Sequence, residues 1–484
     1  MTDLCDRSAL ELRQQIAAKD ISPAELLASC VARIEEVNGR LNAVVATCFD
    51  RAKKEALEAE KAVLRGDDLG PLHGMPIGIK DLVLTEGVRT TFGSPQFEDY
   101  VPEADERQVQ AVRAAGAIVV GKTNTPEFGA GANTVNPVYG ATGNPFDPEK
   151  TCAGSSGGSA VALATGMVPL ATGSDMGGSL RNPAAYCGIV GMRPSQGVIA
   201  DETTMLGWSS LPVQGPMARS VEDLAMLYQA MAGDDDRDPL AYPFGNETLH
   251  PLDDVDLGDI KIAVSEDLGF APVDNDIRAT FRTAMKQLGP AFASVSQVDP
   301  PLTGSDEAFE VNRALSFVAA HKQTYDENPD ILGPNIVANV EQGLLMSLAD
   351  VARAMTTHTQ IYRRFVAFME DYDILICPAM SVPPFPHGQL YPSEINGEVL
   401  RTYFHWLALA YGLTLTCHPV VCLPAGLDHT GMPFGIQICG KRAGDARVLA
   451  ISRAIEHHMI RLEGLGRPMP DLDRLRRQDV SRRD

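Results

Sequence analysis

The chain is poor in positive charge and lacks long apolar runs. Its 41 Lys and Arg residues stand against 63 Asp and Glu residues, which gives a formal net charge of −22 at pH 7. This charge opposes binding to nucleic acid and to anionic membrane surfaces. No run of about 20 consecutive apolar residues occurs, so no membrane-spanning segment is expected. These absences favour chemistry on a small molecule, with neither nucleic acid nor membrane as a partner.

Motifs for metal ions and for redox-active thiols are also missing. The ten histidines include no H-E-x-x-H spacing, so we expect no metal and no other cofactor. The nine cysteines include no C-x-x-C pair, and no hydrophobic leader is recognised. We therefore expect reduced thiols and a cytoplasmic location in a bacterial-type cell.

The sequence has no obvious boundary between domains, because it contains neither an internal repeat nor a linker rich in Pro, Gly or Ser. We therefore predict a single domain over residues 1–484, present as a monomer or homodimer. Within it we expect N-terminal helices (1–65), the catalytic motifs (66–230), a surface loop (231–259), a second half with sheet, helices and substrate pocket (260–462), and a charged tail (463–484).

Two loops rich in glycine and serine are the most informative part of the sequence. The first is G-S-S-G-G-S at residues 154–159, and the second is G-S-D-M-G-G-S-L-R at residues 173–181. A helix of about 9 residues from Gly157, stopped by Gly166, has a length of roughly 13 Å. A strand at Val168–Thr172 spans roughly 16 Å. Because these lengths nearly cancel, a strand that runs back beside the helix brings serines of the two loops together.

The second loop also suits an anion. Two glycines without side chains allow four successive backbone amides to turn toward one point, those of Met176, Gly177, Gly178 and Ser179. A helix that begins near Asn182-Pro183 directs its N-terminus to the same point. Such donors can form an oxyanion hole for the tetrahedral intermediate of acyl transfer, an effect of roughly 3–4 kcal/mol per donor.

A lysine lies inside an apolar stretch upstream of these loops. The segment from Gly74 to Val83 reads G-M-P-I-G-I-K-D-L-V, which places Lys80 in a strand-like run. Burial without a full counter-charge lowers the pKa of a lysine toward neutrality, and this makes it a usable base for a serine nucleophile. The next residue, Asp81, would point to the other face of the strand.

Taken together, these segments resemble the amidase signature family of serine hydrolases. The resemblance rests on the segment that ends at Lys80-Asp81, on G-K-T-N-T-P-E-F at residues 121–128, and on the two serine loops. It extends to P-V-Q-G-P-M-A-R-S-V-E-D-L at residues 212–224 and to the C-terminal segments L-P-A-G and G-M-P-F-G-I-Q-I-C-G. Several linked motifs in the expected order, over nearly the whole chain, are far more specific than any one of them.

The resemblance implies a Ser-Ser-Lys triad. Ser179 would be the acylated nucleophile and Lys80 the base. Ser155 would bridge them, after a cis peptide bond to Gly154, and it is preferred to its neighbour because its spacing to the nucleophile matches the family's pattern. The supporting residues would be Ser156, Asp175 and Arg181, of which the last two brace the nucleophile loop.

Two positions depart from the family's pattern. Ala153 stands where a glycine is usual, and Met176 stands where threonine is frequent. Neither change removes a triad atom. The flexible thioether of Met176 would suit an irregular apolar pocket wall.

Other motif matches have the wrong context. Residues 116–123 fit the P-loop pattern, but their interior is β-branched and no helix follows. Residues 154–158 fit the G-x-S-x-G nucleophile elbow around Ser156, but the turn-like residues before them provide no strand. No S-x-x-K motif occurs, which argues against a β-lactamase-like enzyme. We therefore expect neither a nucleotide site nor these other hydrolase classes.

Alternating strand and helix signals predict an α/β fold with a large mixed sheet core flanked by helices. Strands are expected at Ile77–Leu82, Ala117–Val120, Val168–Thr172, Lys261–Val264, Asp373–Cys377 and Val420–Leu423.

The substrate pocket is the least determined part of the sequence. Its walls are expected in three segments, at residues 204–211, 311–321 and 401–411. Aromatic side chains in such segments belong to the core of a helix about as often as they line a pocket. The candidate substrate-binding residues are Trp208, Phe317, Tyr403 and Trp406. If they line the pocket, they favour an apolar or aryl amide, or a carbamate, over a charged amino-acid amide.

The function implied by the resemblance is that of an amidase. It would cleave carbon–nitrogen bonds of small neutral amides, with carbamates (urethanes) and esters as further substrates, through an acyl-serine intermediate. The main alternative is the glutaminase subunit of a tRNA-dependent amidotransferase, which shares the triad but needs partner subunits. A catalytically idle binding or scaffold protein is disfavoured because all three triad positions are intact.

Overall fold

Most of the strands join one large mixed β-sheet. The computed structural model describes residues 3–243 and 249–477. In chain order, its strands are β1 Val44–Thr47, β2 Pro76–Lys80, β3 Ile118–Thr123, β4 Val135–Asn136, β5 Gly140–Ala141, β6 Leu170–Asp175, β7 Val190–Arg193, β8 Val213–Ala218, β9 Lys261–Val264, β10 Ser294–Gln297, β11 Ile374–Pro378, β12 Glu394–Ile395, β13 Glu398–Val399, β14 Val420–Leu427 and β15 Pro433–Cys439.

The main sheet has 11 strands in the order β1-β3-β2-β6-β8-β7-β14-β15-β11-β9-β10. Strand β2 lies between β3 and β6 and is parallel to both. From β6 to β11 each pair of neighbours is antiparallel, and β11, β9 and β10 are parallel again. The mixed sheet confirms the predicted fold class. It also joins strands from both halves of the chain into one layer.

Helices flank this sheet. Their bounds are α1 Ala9–Ala18, α2 Pro23–Leu41, α3 Phe49–Arg65, α4 Arg107–Ala114, α5 Gly157–Ala164, α6 Arg181–Cys187, α7 Val221–Met231, α8 Asn275–Leu288, α9 Ser305–Glu327, α10 Pro334–Leu344, α11 Leu348–Phe368, α12 Ala408–Thr414, α13 Asp445–Met459 and α14 Leu472–Arg477. Every residue of α5 and of α6 is buried. The two serine loops therefore adjoin helices that are fixed inside the core.

The six strands expected from the sequence are all present, with ends displaced by at most four residues. The sequence reasoning missed β1, β7, β8, β10 and β15, which also belong to the main sheet. Strands β8 and β15 include Pro216 and Pro433, and proline is usually excluded from central strands because it has no N–H to donate. Their sequences therefore carried signals that argue against a strand.

Helix α9 lies beside the site and packs against α10, α11 and α12. Two contacts tie α10 to the loop after β3. The carboxylate of Glu127 accepts a hydrogen bond of 2.8 Å from the Gly333 amide, and Asn335 donates to the Ala130 carbonyl at 3.0 Å. These bonds fix the helical layer to the half of the sheet that contains β2.

Most of the described part of the predicted surface loop is irregular. Residues 232–243 and 249–256 form neither a helix nor a regular strand, and residues 244–248 of this prediction lie outside the described residues. The end of the predicted charged tail, residues 478–484, also lies outside them. Among residues 3–243 and 249–477, no helix is both long enough and apolar enough to cross a membrane.

Candidate active site

Lys80 is the last residue of β2, and its side chain is completely buried. Its Nζ lies 2.7 Å from Ser155 Oγ, 2.9 Å from Ser156 Oγ and 2.9 Å from Ser174 Oγ. No carboxylate in the described part of the chain forms an ion pair with this amine. The structure thus gives Lys80 three hydroxyl neighbours and no direct counter-charge.

The first serine loop leads into helix α5. The peptide bond between Gly154 and Ser155 is cis, as the resemblance implies, and Ala153 before it has a φ of +60°. Ser156 is completely buried, whereas Ser155 borders a cavity. The two neighbouring serines therefore contact the same amine but differ in their access to the cavity.

The second serine loop connects β6 to α6. Ser179 is partly exposed on this loop and borders the same cavity as Ser155. The amide of Ser156 donates to the carbonyl of Ser179 at 3.2 Å. The two loops therefore meet, as the lengths of the intervening helix and strand predict.

Asp175 and Arg181 form a buried ion pair beneath the second loop. Arg181 donates to both carboxylate oxygens of Asp175, at 2.9 and 3.0 Å. Asp175 also accepts hydrogen bonds from the amides of Gly178 at 2.9 Å and Leu180 at 3.2 Å. Arg193 donates to the Asp175 carbonyl at 2.7 Å. These contacts hold the loop on both sides of Ser179.

Gly178 has a different partner from the one expected. Its amide was predicted to face an oxyanion together with its neighbours, but it donates to the Asp175 carboxylate instead. The carboxylate competes for this donor because it is a charged acceptor at close range. The amide of Gly178 is therefore occupied in this structure.

Two charged groups of the site have strongly shifted pKa values. Burial lowers the pKa of Lys80 to about 7, although the negative charge of Asp175 acts in the opposite direction. Burial alone would raise the pKa of Asp175, but the charges of Arg181 and Arg193, with the hydrogen bonds of Arg181 and Gly178, hold it well below its usual range. Lys80 is thus partly neutral near pH 7, while Asp175 remains ionised.

A cavity of about 300 Å³ opens beside the serines, and part of its wall is aromatic. Ser155, Ser174 and Ser179 border it together with Met176 and Gly177. Its apolar lining consists mainly of Leu82, Phe92, Phe128, Phe309, Phe317, Phe404 and Leu407. Its volume lies at the lower end of the range for small-molecule sites.

The four predicted substrate-binding residues have different positions. Phe317 lines the cavity. Tyr403 does not line the cavity among the described residues, but its hydroxyl accepts a hydrogen bond from Arg313, which does. Trp406 is only 1% exposed and packs against Phe385, while Trp208 is 78% exposed and borders a separate hollow. Neither tryptophan is among the described residues that line the cavity.

Several residues at the site were not singled out from the sequence. Ser174 contacts Lys80. It lies near the end of β6, five residues before Ser179 in the second serine loop, and this position could have indicated its role from the sequence. Phe92 and Phe128 line the cavity from loops of the N-terminal half. Arg313 and His321 lie in a segment that was expected to contribute to the pocket. Burial lowers the pKa of His321 to about 4, so this ring is neutral near pH 7.

The P-loop-like segment is a buried strand in the structure. Residues 118–123 form β3, and its lysine, Lys122, donates to the carbonyl of Val83 and to the hydroxyls of Thr85 and Thr90. This lysine is enclosed by protein groups, so it is not placed to bind a phosphate. The described residues also contain no cluster of three or more His, Cys, Asp or Glu side chains that could hold a metal ion.

Comparison with family models places this chain in a class of enzymes that hydrolyse carbon–nitrogen bonds. The family model Amidase matches residues 25–449. The chain belongs to this family, the amidase signature enzymes, as the sequence motifs predict.

Relatives within the family include enzymes with different roles. An acylamidase of Rhodococcus erythropolis is 32% identical over 452 residues, which cover 93% of this chain and 94% of that protein. The A subunit of the glutamyl-tRNA(Gln) amidotransferase of Geobacillus kaustophilus is 31% identical, over 94% of this chain and 97% of its own length. The crystal structure of a bacterial aryl acylamidase superposes with a TM-score of 0.87 at 27% identity, and covers 93% of this chain and 96% of its own.

Proposed function

We propose that this enzyme hydrolyses small amides with an apolar or aryl body, and carbamates and esters by the same route, through an acyl intermediate on Ser179. The observation that supports this most directly is the 2.7 Å contact between Lys80 Nζ and Ser155 Oγ, at a cavity that Ser179 also borders. A buried amine without an ion-pair partner, a bridging hydroxyl and a second hydroxyl form a chain for proton transfer.

In the proposed mechanism, neutral Lys80 accepts the proton of Ser155, and Ser155 accepts the proton of Ser179 as its Oγ attacks the carbonyl carbon. The amides of Met176, Gly177 and Ser179 stabilise the resulting oxyanion, with Gly178 held by Asp175 instead. Ser155 then returns the proton to the leaving nitrogen. Water then hydrolyses the acyl-enzyme. Its proton passes to Ser155 and Lys80, and Ser179 recovers a proton from Ser155 as the acid product leaves.

Access to the cavity supports Ser155 rather than Ser156 as the bridging serine. The distances do not distinguish them, since Lys80 Nζ is 2.7 Å from one hydroxyl and 2.9 Å from the other. However, Ser155 borders the cavity and Ser156 is fully buried. Only a hydroxyl that reaches the cavity can pass a proton to the substrate's leaving group. Ser156 then acts as a support for Lys80.

The cavity lining supports the proposed substrate class. Aromatic walls bind apolar and aryl groups through buried area and edge or face contacts. The acylamidase of Rhodococcus erythropolis and the bacterial aryl acylamidase are relatives whose names point to the same chemistry. Glutamine, the substrate in the alternative, offers these phenylalanine side chains little apolar area to contact.

Labelling and substitution of Ser179 test the nucleophile. Ser179→Ala should fold normally and lose nearly all turnover of an aryl amide, and an aryl sulfonyl fluoride should add its mass to the peptide that contains Ser179. Ser156→Ala is the matched control, because it removes a serine that also contacts Lys80, and it should keep the labelling. Labelling of Ser156, with turnover retained in Ser179→Ala, would contradict the assignment.

A substrate panel on the isolated chain tests the function against its main alternative. Aryl amides, alkyl amides, carbamates, esters and free glutamine are compared without any added partner. We expect esters and aryl amides to react faster than alkyl amides, because their better leaving groups need less help from the relayed proton. A chain that is inert on all of these, yet releases ammonia from glutamine once amidotransferase partner subunits are added, would establish the amidotransferase role instead.

A further inference from the structure

One cationic side chain, Arg313, lies on the cavity, and no described residue gives it an acidic partner. It belongs to α9, is only 7% exposed and borders the cavity. Within residues 3–243 and 249–477, no Asp or Glu lies within ion-pair distance of it. Its Nε is buried without a hydrogen-bond partner. A buried guanidinium in this state is unusual, because buried charges in proteins are nearly always paired.

The neighbours of Arg313 hold it in place without neutralising it. Its Cζ lies 4.6 Å from the ring centre of Phe317, 5.1 Å from that of Phe404 and 5.7 Å from that of Tyr403. One Nη donates to the Tyr403 hydroxyl at 2.7 Å, and the other lies 3.7 Å from the Met176 sulfur. Asn339 also donates to the Tyr403 hydroxyl, at 2.7 Å. The guanidinium is therefore rigid, and part of its donor capacity is unused.

The carboxylates closest to the cavity already have other partners. Asp175 is paired with Arg181. Asp201, which also borders the cavity, accepts hydrogen bonds from Gln214 at 2.8 Å and from Thr203 at 3.3 Å. On α9 itself, Glu310 pairs with Arg401. The protein thus provides a fixed cation at its cavity, and the nearby carboxylates bond to groups other than Arg313.

We propose that Arg313 binds a carboxylate carried by the substrate at a distance from the bond that is cleaved. The proposal rests on the proposed amidase function and narrows its substrate class to amides with an apolar or aryl body and one remote acidic group. A guanidinium presents paired N–H donors that match a carboxylate, and the cavity supplies the low-dielectric setting in which such a bond is strong. Arg313 is then a specificity-determining residue, distinct from the triad.

Two pairs of matched substrates test this on the full-length enzyme. The first pair is glutaryl 4-nitroanilide and 5-oxohexanoyl 4-nitroanilide, which place a carboxylate or an isosteric methyl ketone on the acyl side. The second pair is 4-acetamidobenzoate and 4-acetamidoacetophenone, which make the same exchange on the amine side. We expect kcat/KM to be about ten- to a hundredfold higher for the carboxylate in one of the pairs, as for a hydrogen bond to a charged group.

Arg313→Met should remove this preference, so that kcat/KM for the carboxylate and for the methyl ketone of that pair differs by no more than about threefold. The ketone rate shows that the variant is folded. Arg313→Gln keeps hydrogen-bond donors without charge and should also lose the preference. It replaces Arg313→Met in the test if that variant does not fold. Arg353→Met is the control, since Arg353 is an exposed arginine on α11 paired with Glu307 and Asp350, and it should keep the wild-type preference.

The outcomes separate this inference from the proposed function. An enzyme that hydrolyses the methyl ketones but shows no preference for the carboxylate in either pair overturns the role of Arg313, and so does a preference that survives in Arg313→Met. An enzyme that hydrolyses none of the four compounds and no simple aryl amide contradicts the proposed function itself.

Discussion

At the scale of single residues, the burial of Lys80 determines how activity should depend on pH. Its pKa is lowered to about 7, and only the neutral amine can accept a proton. We expect kcat/KM for an aryl amide to rise through about pH 7 and then reach a plateau. Lys80→Arg should be inactive at every pH tested, because a guanidinium does not lose its proton in this range. A Lys80→Arg enzyme with ordinary turnover would contradict the role of Lys80 as the base.

The same pKa shift links catalysis to stability. Between about pH 7 and the ordinary lysine pKa of 10.5, the unfolded chain binds a proton at Lys80 and the folded chain does not, so this residue lowers stability progressively as the pH falls through that window. Lys80→Met carries no proton in either state. Its melting temperature relative to wild type should therefore increase from about pH 9.5 to about pH 7 and then stay constant. A difference that is flat between these pH values would show that Lys80 is not desolvated.

Ala153 occupies a left-handed backbone position, with a φ of +60°, where the family usually has glycine. Ala153→Gly should relieve a penalty of about 1–2 kcal/mol, which largely offsets the lost methyl contacts and the greater entropy of the unfolded chain. Ala162→Gly removes an equally buried methyl group from the middle of α5 without that relief. Both substitutions should lower the free energy of unfolding, as measured by denaturant titration. We expect the loss to be smaller for Ala153→Gly than for Ala162→Gly by at least about 1 kcal/mol. Equal losses would argue against strain at Ala153.

At the scale of secondary structure, the sequence is most informative where local lengths decide the geometry. Helix α5 ends at Ala164 and β6 begins at Leu170, close to the predicted positions, and the two serine loops meet as a result. The occupied amide of Gly178 shows the limit of this reasoning. Which acceptor an amide faces depends on the rotamer of Asp175 and on the arginines around it, and neither follows from the spacing of residues in one loop.

Helix α9 packs against the second serine loop through Phe309. A methyl group on Gly177 would lie 2.8 Å from Cζ of Phe309, a buried ring on α9 that stacks on Tyr411 at 4.4 Å. Gly177→Ala should therefore displace the loop and lower kcat by about tenfold or more, because a small misplacement of reacting groups is costly. Adding Phe309→Leu should restore part of the activity by making room for the methyl group.

The neighbouring glycine provides a control for this prediction. Gly178 has a φ of +114°, and a methyl group on it would lie 2.5 Å from Ala410 Cβ rather than near Phe309. Gly178→Ala should be inactive with or without Phe309→Leu. If the second substitution restored activity equally in both backgrounds, direct contact between Phe309 and Gly177 would not explain the rescue.

At the scale of the whole molecule, the ion pair below the second serine loop depends on residues from the far end of the chain. Arg181 donates to Gln437 at 2.7 Å and to Thr414 at 2.9 Å, and Gln437 is completely buried in β15. Gln437→Leu leaves a buried charge with one bond fewer and should lower the stability by about 1.5–3 kcal/mol. Gln297→Leu, at an exposed position in the edge strand β10, should change the melting temperature little. Equal effects of the two would contradict this account.

The whole fold also explains why the cavity could be predicted only in part. Its segments around residues 311–321 and 401–411 were recognised as candidates, and Phe317 and Phe404 do border the cavity. Phe92 and Phe128 lie in other segments of the chain, and nothing in the sequence around them predicts that both line the same cavity. Trp208 and Trp406 were chosen for their chemistry, but one is exposed, and the other is buried against Phe385 from a separate segment of the chain. Contacts between remote segments decide which aromatic residues face a substrate.

The hydrogen bond between Arg181 and Gln437 joins residues that are far apart in the sequence, so it can form only late in synthesis of the chain. Gln437 leaves the ribosome 256 residues after Arg181, the sequence separation of the hydrogen bond between them, which corresponds to roughly 13–50 s at ribosomal speeds of about 5–20 residues per second. Until then Arg181 lacks one of the partners that fix the loop carrying Ser179. A nascent or prematurely terminated chain therefore lacks part of the support of this loop until translation has passed β15.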